Sequence, residues 1–368
     1  MSSRLLQLSA LALLTVGVWF ANRPVPVTDA PKRPITAPAA HVPAVARAPA
    51  RPRLPVPQPA VAPVRNETGV EDPTNSLARL LNGGEIPKLT REQLDTFLLQ
   101  NKRSAECLLT ASRALGDVSL LREAAGKFPQ DPRVQFDLAL RGESPEEKRR
   151  ALAAFRQLAR DNPLGDYLSA LDRFKAGQPD EAVRDLWQAS GKHRFQDYTI
   201  DHVQSAEEAY LSAGYSPLEA KAAGLFGVLL PHLSALRELG NQMSGLQQQY
   251  AQAGDLASAQ AVGQIGLNLA SQLEGQPART LISELVGMAI EKKFLAGQSA
   301  DSPLGDGRTV GGRLAELEAQ RQTIRDVTQL TALLPTLPPQ EALTYFDRLK
   351  LSGELDALRW LQNKHARP

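Results

Sequence analysis

The chain has 368 residues, with 42 basic and 40 acidic side chains, a net charge of +2 and a single cysteine, Cys107. One cysteine excludes an internal disulfide, so stability must come from helix and core burial. The charge is uneven: seven basic residues (Arg4, Arg23, Lys32, Arg33, Arg47, Arg51, Arg53) and one acid, Asp29, precede residue 64, leaving 35 basic and 39 acidic residues beyond it, a mildly acidic body that argues against nucleic acid as its partner.

The chain opens with an apolar run from Leu5 to Ala21, broken only by Gln7, Ser9 and Thr15, with Arg4 before it. Its 17 residues are long for a signal-peptide core and at the short limit for a membrane-spanning helix. Trp19 and Ala21 fit a cleavage site poorly, so residues 1–23 read as an uncleaved anchor. A removed signal peptide would leave the same body on the same side. Arg23, Lys32 and Arg33 follow the run and oppose the positive-inside rule, but long segments translocate largely regardless of charge. The expectation is a single-pass protein of the cell membrane whose body lies in the periplasm or extracellular space.

Residues 24–70 form a Pro/Ala-rich linker, densest from Pro24 to Pro63. Such a segment has too little apolar surface to offset the entropy of ordering, and proline biases it to extended polyproline II. At about 3.1 Å per residue it reaches on the order of 100 Å. A proline-rich ligand for an aromatic groove is the other reading, but the prolines lack a repeated spacing.

Beyond Glu71 apolar residues fall three and four apart, and no sustained alternation of the strand kind occurs, which predicts an all-α body. Thr90 with Gln93, Ser144 with Glu147 and Ser216 with Glu219 fit capping boxes. Pro145 and Pro217 sit where a first helical residue needs no amide hydrogen. Gly116, Gly177 and Gly254 each fall between two helical patterns, where a left-handed cap would reverse the chain.

At these turns the chain resembles the tetratricopeptide repeat family of paired antiparallel helices. Leu246, Tyr250, Gly254 and Ala259 match its spacing, with Gln247 and Gly263 as departures. Ala170, Gly177, the Asp180-Glu181-Ala182 run, Leu186 and Ala189 match again, with Arg173 replacing an aromatic. Leu138, Ala139, Ala151, Phe155 and Pro163 form another unit. Fainter units hold Gly116, Leu121, Phe128 and the Pro129-Gln130-Asp131-Pro132 end, and Tyr210, Gly214 and Ala220. The small residues Ala151, Ala182, Ala220 and Ala259 are 31, 38 and 39 residues apart, bracketing the family period of about 34. The resemblance implies TPR-like antiparallel hairpins over residues 71–275, as an α-solenoid or a compact helical array, with residues 276–368 as a C-terminal helical cap.

Ala220, Gly224 and Gly227, and Ala259, Gly263, Gly266 and Ala270, fall on single helix stripes. Glycine inside a helix costs about 1 kcal/mol relative to alanine. These stripes are therefore expected to be seams of close helix approach, which makes Gly263→Leu destabilising. The alternative is a shallow apolar pocket beside Leu225, Phe226 and Leu229.

His193, Asp197, Asp201 and His202 are the one cluster with metal-ligand types, but Gly191 and the Phe195–Ile200 stretch predict an irregular loop with Asp201 capping the next helix. His41, His232 and His365 read as structural. Gly305, Gly307, Gly311 and Gly312 around Arg308 and Arg313 lack the Lys-Ser/Thr of a phosphate loop and read as a flexible surface loop. Glu146–Arg150 reads as a solvated first turn. No serine elbow, zinc-protease motif or paired-cysteine site is present, and Glu207 and Glu208 point about 100° apart on a helix.

The expectation is therefore a binding scaffold or assembly factor for a protein or peptide. It has no expected catalytic residue, cofactor or metal, and no nucleic-acid partner; its membrane contact is made through the N-terminal segment. The other readings are a carrier of a small apolar ligand or lipid, which needs an enclosed apolar cavity, and an envelope glycan hydrolase, which needs a cleft with a carboxylate of raised pKa.

Overall fold

The computed structural model describes residues 86–276, 278–304 and 306–365. The apolar run, the Pro/Ala linker, residues 71–85 and Gly305 lie outside them. Among the described residues every regular element is helical, and the sole β-type contact is a lone bridge between Pro303 and Thr309. No described helix is long and apolar enough to cross a membrane.

The N-terminal helices are α1 (Arg91–Gln100), α2 (Ala105–Leu115), α3 (Val118–Lys127), α4 (Pro132–Arg141) and α5 (Pro145–Leu158). Next come α6 (Leu164–Lys175), α7 (Pro179–Ser190), α8 (Thr199–Ser212) and α9 (Pro217–Phe226). The long helices α10 (Pro231–Gln252) and α11 (Leu256–Glu274) are followed by α12 (Leu281–Leu295) and α13 (Val310–Thr328). A 3-10 stretch (Gln329–Thr336) containing Pro335 leads to α14 (Pro339–Ser352) and α15 (Glu354–His365).

Local chemistry sets these ends. Thr90 opens α1 with a complete capping box: its hydroxyl accepts the Gln93 amide at 3.2 Å, and Gln93 Oε1 accepts the Thr90 amide at 2.9 Å. Ser216 and Glu219 open α9 in the same way, at 3.3 and 3.0 Å. Ser144 makes half a box, because Glu147 turns its carboxylate to the Glu143 amide (2.8 Å) and to Arg122 (2.8 Å). Gly116, Gly177 and Gly254 adopt φ of 68°, 70° and 80°, as do Gly214 and Gly353 at 90° and 91°. A side chain resists that backbone, so glycine is what lets α2 fold onto α3, α6 onto α7 and α10 onto α11.

The four marker alanines, Ala151, Ala182, Ala220 and Ala259, are all buried. The hairpins do not follow one another in a line, however. α3 meets α4 and α5 meets α6, but α8 turns back to lie on α1 and α2. Thr110 donates to Ser205 across that junction at 2.7 Å, and the Tyr210 hydroxyl donates to the Pro87 carbonyl at 2.7 Å. α10 likewise packs on both α6 and α12. A stack in which each hairpin touches only its chain neighbours is not what forms.

Three cores result. One joins α4–α7 with α10–α12 around Phe155, Tyr167, Leu236 and Phe294. A second joins Leu218 and Ala222 of α9 to α12–α15. The third joins α1–α3 to Ala209 and Tyr210 of α8 and Ala220 and Ala223 of α9. Lys221 of α9 and Lys350 of α14 both bind Glu207, at 3.0 and 2.6 Å, so the second and third cores share an ionic seam.

The small-residue stripes are seams with two amendments. A Cβ at Gly224 would lie 3.0 Å from the Glu207 amide nitrogen and 3.1 Å from the Val203 carbonyl, so α9 rests on the α8 backbone. Gly227 is outside the seam: it caps α9 and is exposed. In α11 the tight position is Gly266, against the Phe294 ring, whereas Gly263 faces the flexible Gln247 amide.

Candidate binding groove

The four residues of the His193, Asp197, Asp201 and His202 cluster do not converge. His193 is exposed. His202 points the other way, to Arg113 and Asp137, where burial and then the Arg113 charge push its pKa down to about 2. No group of three or more His, Cys, Asp or Glu side chains that could hold a metal occurs among the described residues.

Asp201 lies within the first turn of α8, whose N-cap is Tyr198 with no side-chain cap bond; ahead of it, Asp197 Oδ1 accepts the amide of the first helical residue, Thr199, at 3.0 Å. Asp197 Oδ2 lies 3.1 Å from His232 Nε2, and both residues are buried. Burial opposes ionisation of Asp197, but the His232 hydrogen bond and charge, with the Thr199 amide, outweigh it and hold the carboxyl below its usual range. The following residue, Tyr198, has φ of 58° and is buried with its ring 5.8 Å from Phe136. A non-glycine residue in this region costs about 1–2 kcal/mol and persists only where its surroundings over-determine it.

The surroundings do so here. Asn162, buried at the start of α6, accepts the Gln196 amide at 3.3 Å and the Leu164 amide at 3.1 Å, and donates to the Gln196 carbonyl at 2.7 Å. The Arg194 amide donates to the Asp161 carbonyl at 3.3 Å. From α11, Gln272 donates to the Lys192 carbonyl at 2.9 Å while accepting the Tyr167 hydroxyl at 3.0 Å. The 192–199 loop is thereby fixed to α6, α10 and α11.

Between this loop and the α11–α12 turn is a concavity of about 640 Å³, walled by His193–Asp201 on one side and by Ser271, Gln276, Arg279, Thr280 and Ser283 on the other. Arg279 is anchored, with Nε on Glu284 at 3.1 Å, and Gln276 Nε2 is buried without a hydrogen-bond partner. Ser271 and Gly275 also line a second concavity of about 470 Å³ toward Glu274, Glu291, Leu304, Arg308 and Arg313. The two therefore meet over the C-terminal turn of α11.

Among its described residues the glycine loop is tied down, which corrects the flexible-loop expectation: the Val310 amide donates to the Ser302 carbonyl at 2.9 Å and the Gly311 amide to the Ala300 carbonyl at 2.8 Å. Arg308 pairs with Asp306 and Glu316, and Arg313 forks onto Glu291 at 2.6 and 2.7 Å. Burial, then repulsion from Glu291, pushes Glu274 up to about 7 against the pull of Arg313. That is the raised carboxylate a hydrolase needs; Glu274 lines the second concavity, but its Oε1 is buried without a hydrogen-bond partner and its other oxygen lies 3.5 Å from Arg313.

The shallow apolar pocket beside Leu225, Phe226 and Leu229, the alternative to packing seams, is not what that region makes. Leu225 and Phe226 pack into the second core, with Phe226 edge-on to Phe346 at 6.3 Å, and Leu229 is 87% exposed. Cys107 is buried, and burial raises its thiol pKa, which leaves it unreactive. Comparison with protein-family models gives no match, and searches of curated proteins and of solved structures likewise give none.

Proposed function

We propose that this chain is a membrane-tethered, TPR-like binding scaffold that holds an extended segment of a partner protein in the groove between the 192–199 loop and the α11–α12 turn. The observation that carries the reading is the pinned, strained wall of that groove. A loop held by Asn162, Gln272 and the Asp197–His232 pair spends backbone energy to keep a concavity open. Such a wall is pre-organised, so little ordering cost remains at binding. Its accessible side chains, His193, Arg194 and Gln196, are exposed and can vary without disturbing a core.

The placement rests on the sequence: an apolar run and a long Pro/Ala linker would present the groove at a distance from the membrane. The test is affinity capture from solubilised membranes with the full chain and with the double substitution His193→Glu, Arg194→Glu. Specific co-purification that the double substitution abolishes supports the groove. Equal recovery with both chains removes the groove from the reading, and an empty capture with the unaltered chain removes the scaffold reading itself.

A further inference from the structure

The helices α11, α12 and α13 meet at a single ionic node. Arg313, in the first turn of α13, forks onto Glu291 of α12 at 2.6 and 2.7 Å, reaches Glu274 of α11 at 3.5 Å and touches Glu316 of its own helix at 3.2 Å. The Glu274 and Glu291 carboxyls are within hydrogen-bonding reach of each other. Glu284 of α12 adds a third carboxylate, itself buried, and its own cation, Arg279, is already committed to it at 3.1 Å. From the loop, Arg308 faces the node but is paired with Asp306 and Glu316.

The stem of Glu274 is held as tightly as its head. It crosses α12 at Gly287, where a Cβ would lie 2.9 Å from Glu274 Cγ and 3.0 Å from the Ala270 carbonyl. Glu274 Oε1 is buried with no hydrogen-bond partner. With both Glu274 and Glu291 ionised, one guanidinium would face two adjacent carboxylates, and a buried anionic oxygen would have no donor.

We propose that the Glu274–Glu291–Arg313 node is a clasp closed by a proton shared between the two carboxyls, which docks the first turn of α13 on α11 and α12 and loosens when that proton is lost. Loss of the proton leaves Glu274 a short route to water through the concavity of about 470 Å³ that it lines. Its departure unloads the Gly287 crossing and leaves Arg313–Glu291 as the node's remaining link between α13 and α12, while the Gln320–Glu284 hydrogen bond and the shared core hold the rest of α13 in place. The clasp is independent of what the neighbouring groove binds.

The sign follows from linkage. Glu274 is held near 7 in the closed node and returns to about 4.5 once exposed, so opening is favoured as pH rises between those values and levels off above them. The test is hydrogen exchange by mass spectrometry on the full chain, corrected for intrinsic rates, over the peptides spanning residues 297–316. The opening constant of the unaltered protein should rise about 50-fold between pH 5 and pH 7.5 and then level. Glu274→Gln should make it flat at the acid-side value, and Glu291→Gln should make the slope shallower, which keeps the test decisive if the first substitution does not fold. Protection that does not change with pH in the unaltered protein, or a slope unchanged in either variant, overturns the clasp.

Discussion

Gly266 offers the sharpest test of how this body is held together. It lies buried in α11, and a Cβ added there would sit 2.5 Å from Phe294 Cδ2 and closer still to Cε2 and Cζ. Ordinary contact begins near 3.4 Å, so the ring would have to retreat by about 1 Å. Phe294 is 1% exposed and shares a core with Ile290, Leu273 and Tyr167, so no void receives it. Forcing one methyl into such a site costs about 1–3 kcal/mol. Gly266→Ala recovers about 1 kcal/mol of helix propensity, leaving a net loss of about 1–2 kcal/mol. Gly263, one turn away, is the control: its Cβ would meet the Gln247 amide nitrogen at 2.6 Å, the far end of a side chain that can swing aside. Gly263→Ala should therefore be neutral or stabilising by up to about 1 kcal/mol. Urea denaturation at 25 °C measures both. Two alanine variants of equal stability would refute the argument, as would a Gly266→Ala penalty that persists undiminished in a Phe294→Leu background, where the clashing ring is gone.

Two further outcomes follow from the groove and the first turn. Asp197 has its folded pKa lowered, so its contribution to stability is present above the unfolded value and is lost as pH falls through the folded one; Asp197→Asn should lower the urea midpoint at pH 7 and narrow its difference from the unaltered protein under acid conditions, and an unchanged gap across that range would contradict the pairing. Lys102 is exposed with φ of 53° in the α1–α2 turn, so Lys102→Gly should stabilise by about 0.5–1 kcal/mol, and a lower melting temperature would contradict it.

What could be read in advance was local. Thr90, Ser216 and the turn glycines carry their reasons within a few residues, since a cap or a left-handed turn is decided by the nearest amides. Ala182 and Ala259 were legible because a small residue at helical spacing has few other uses. The groove was not legible, because its walls are residues 193–201 and 271–283, joined by Gln272 and Asn162 contacts that no spacing encodes. Asp201 is expected to cap α8 but lies inside it; the chain instead enters the helix through Tyr198, with Asp197 on the Thr199 amide and held by the buried His232, thirty-five positions away. Gly227 sits on the right stripe and does nothing there, since α9 ends one residue before it. The ring that makes Gly266 intolerant, Phe294, belongs to the following helix, and the sequence gives no hint of the pairing.

The return of α8 to α1 and α2 has a cost in time. Leu98, Leu108 and Leu121 share their core with Ala209, Tyr210, Ala220 and Ala223, residues made about a hundred positions later. A nascent chain emerging from the ribosome therefore holds α1–α3 half-covered until α8 and α9 follow, and closure over that span slows folding. Any fragment ending before residue 209 inherits the same bare face permanently, so dissection of this protein by C-terminal shortening would report aggregation before it reported function.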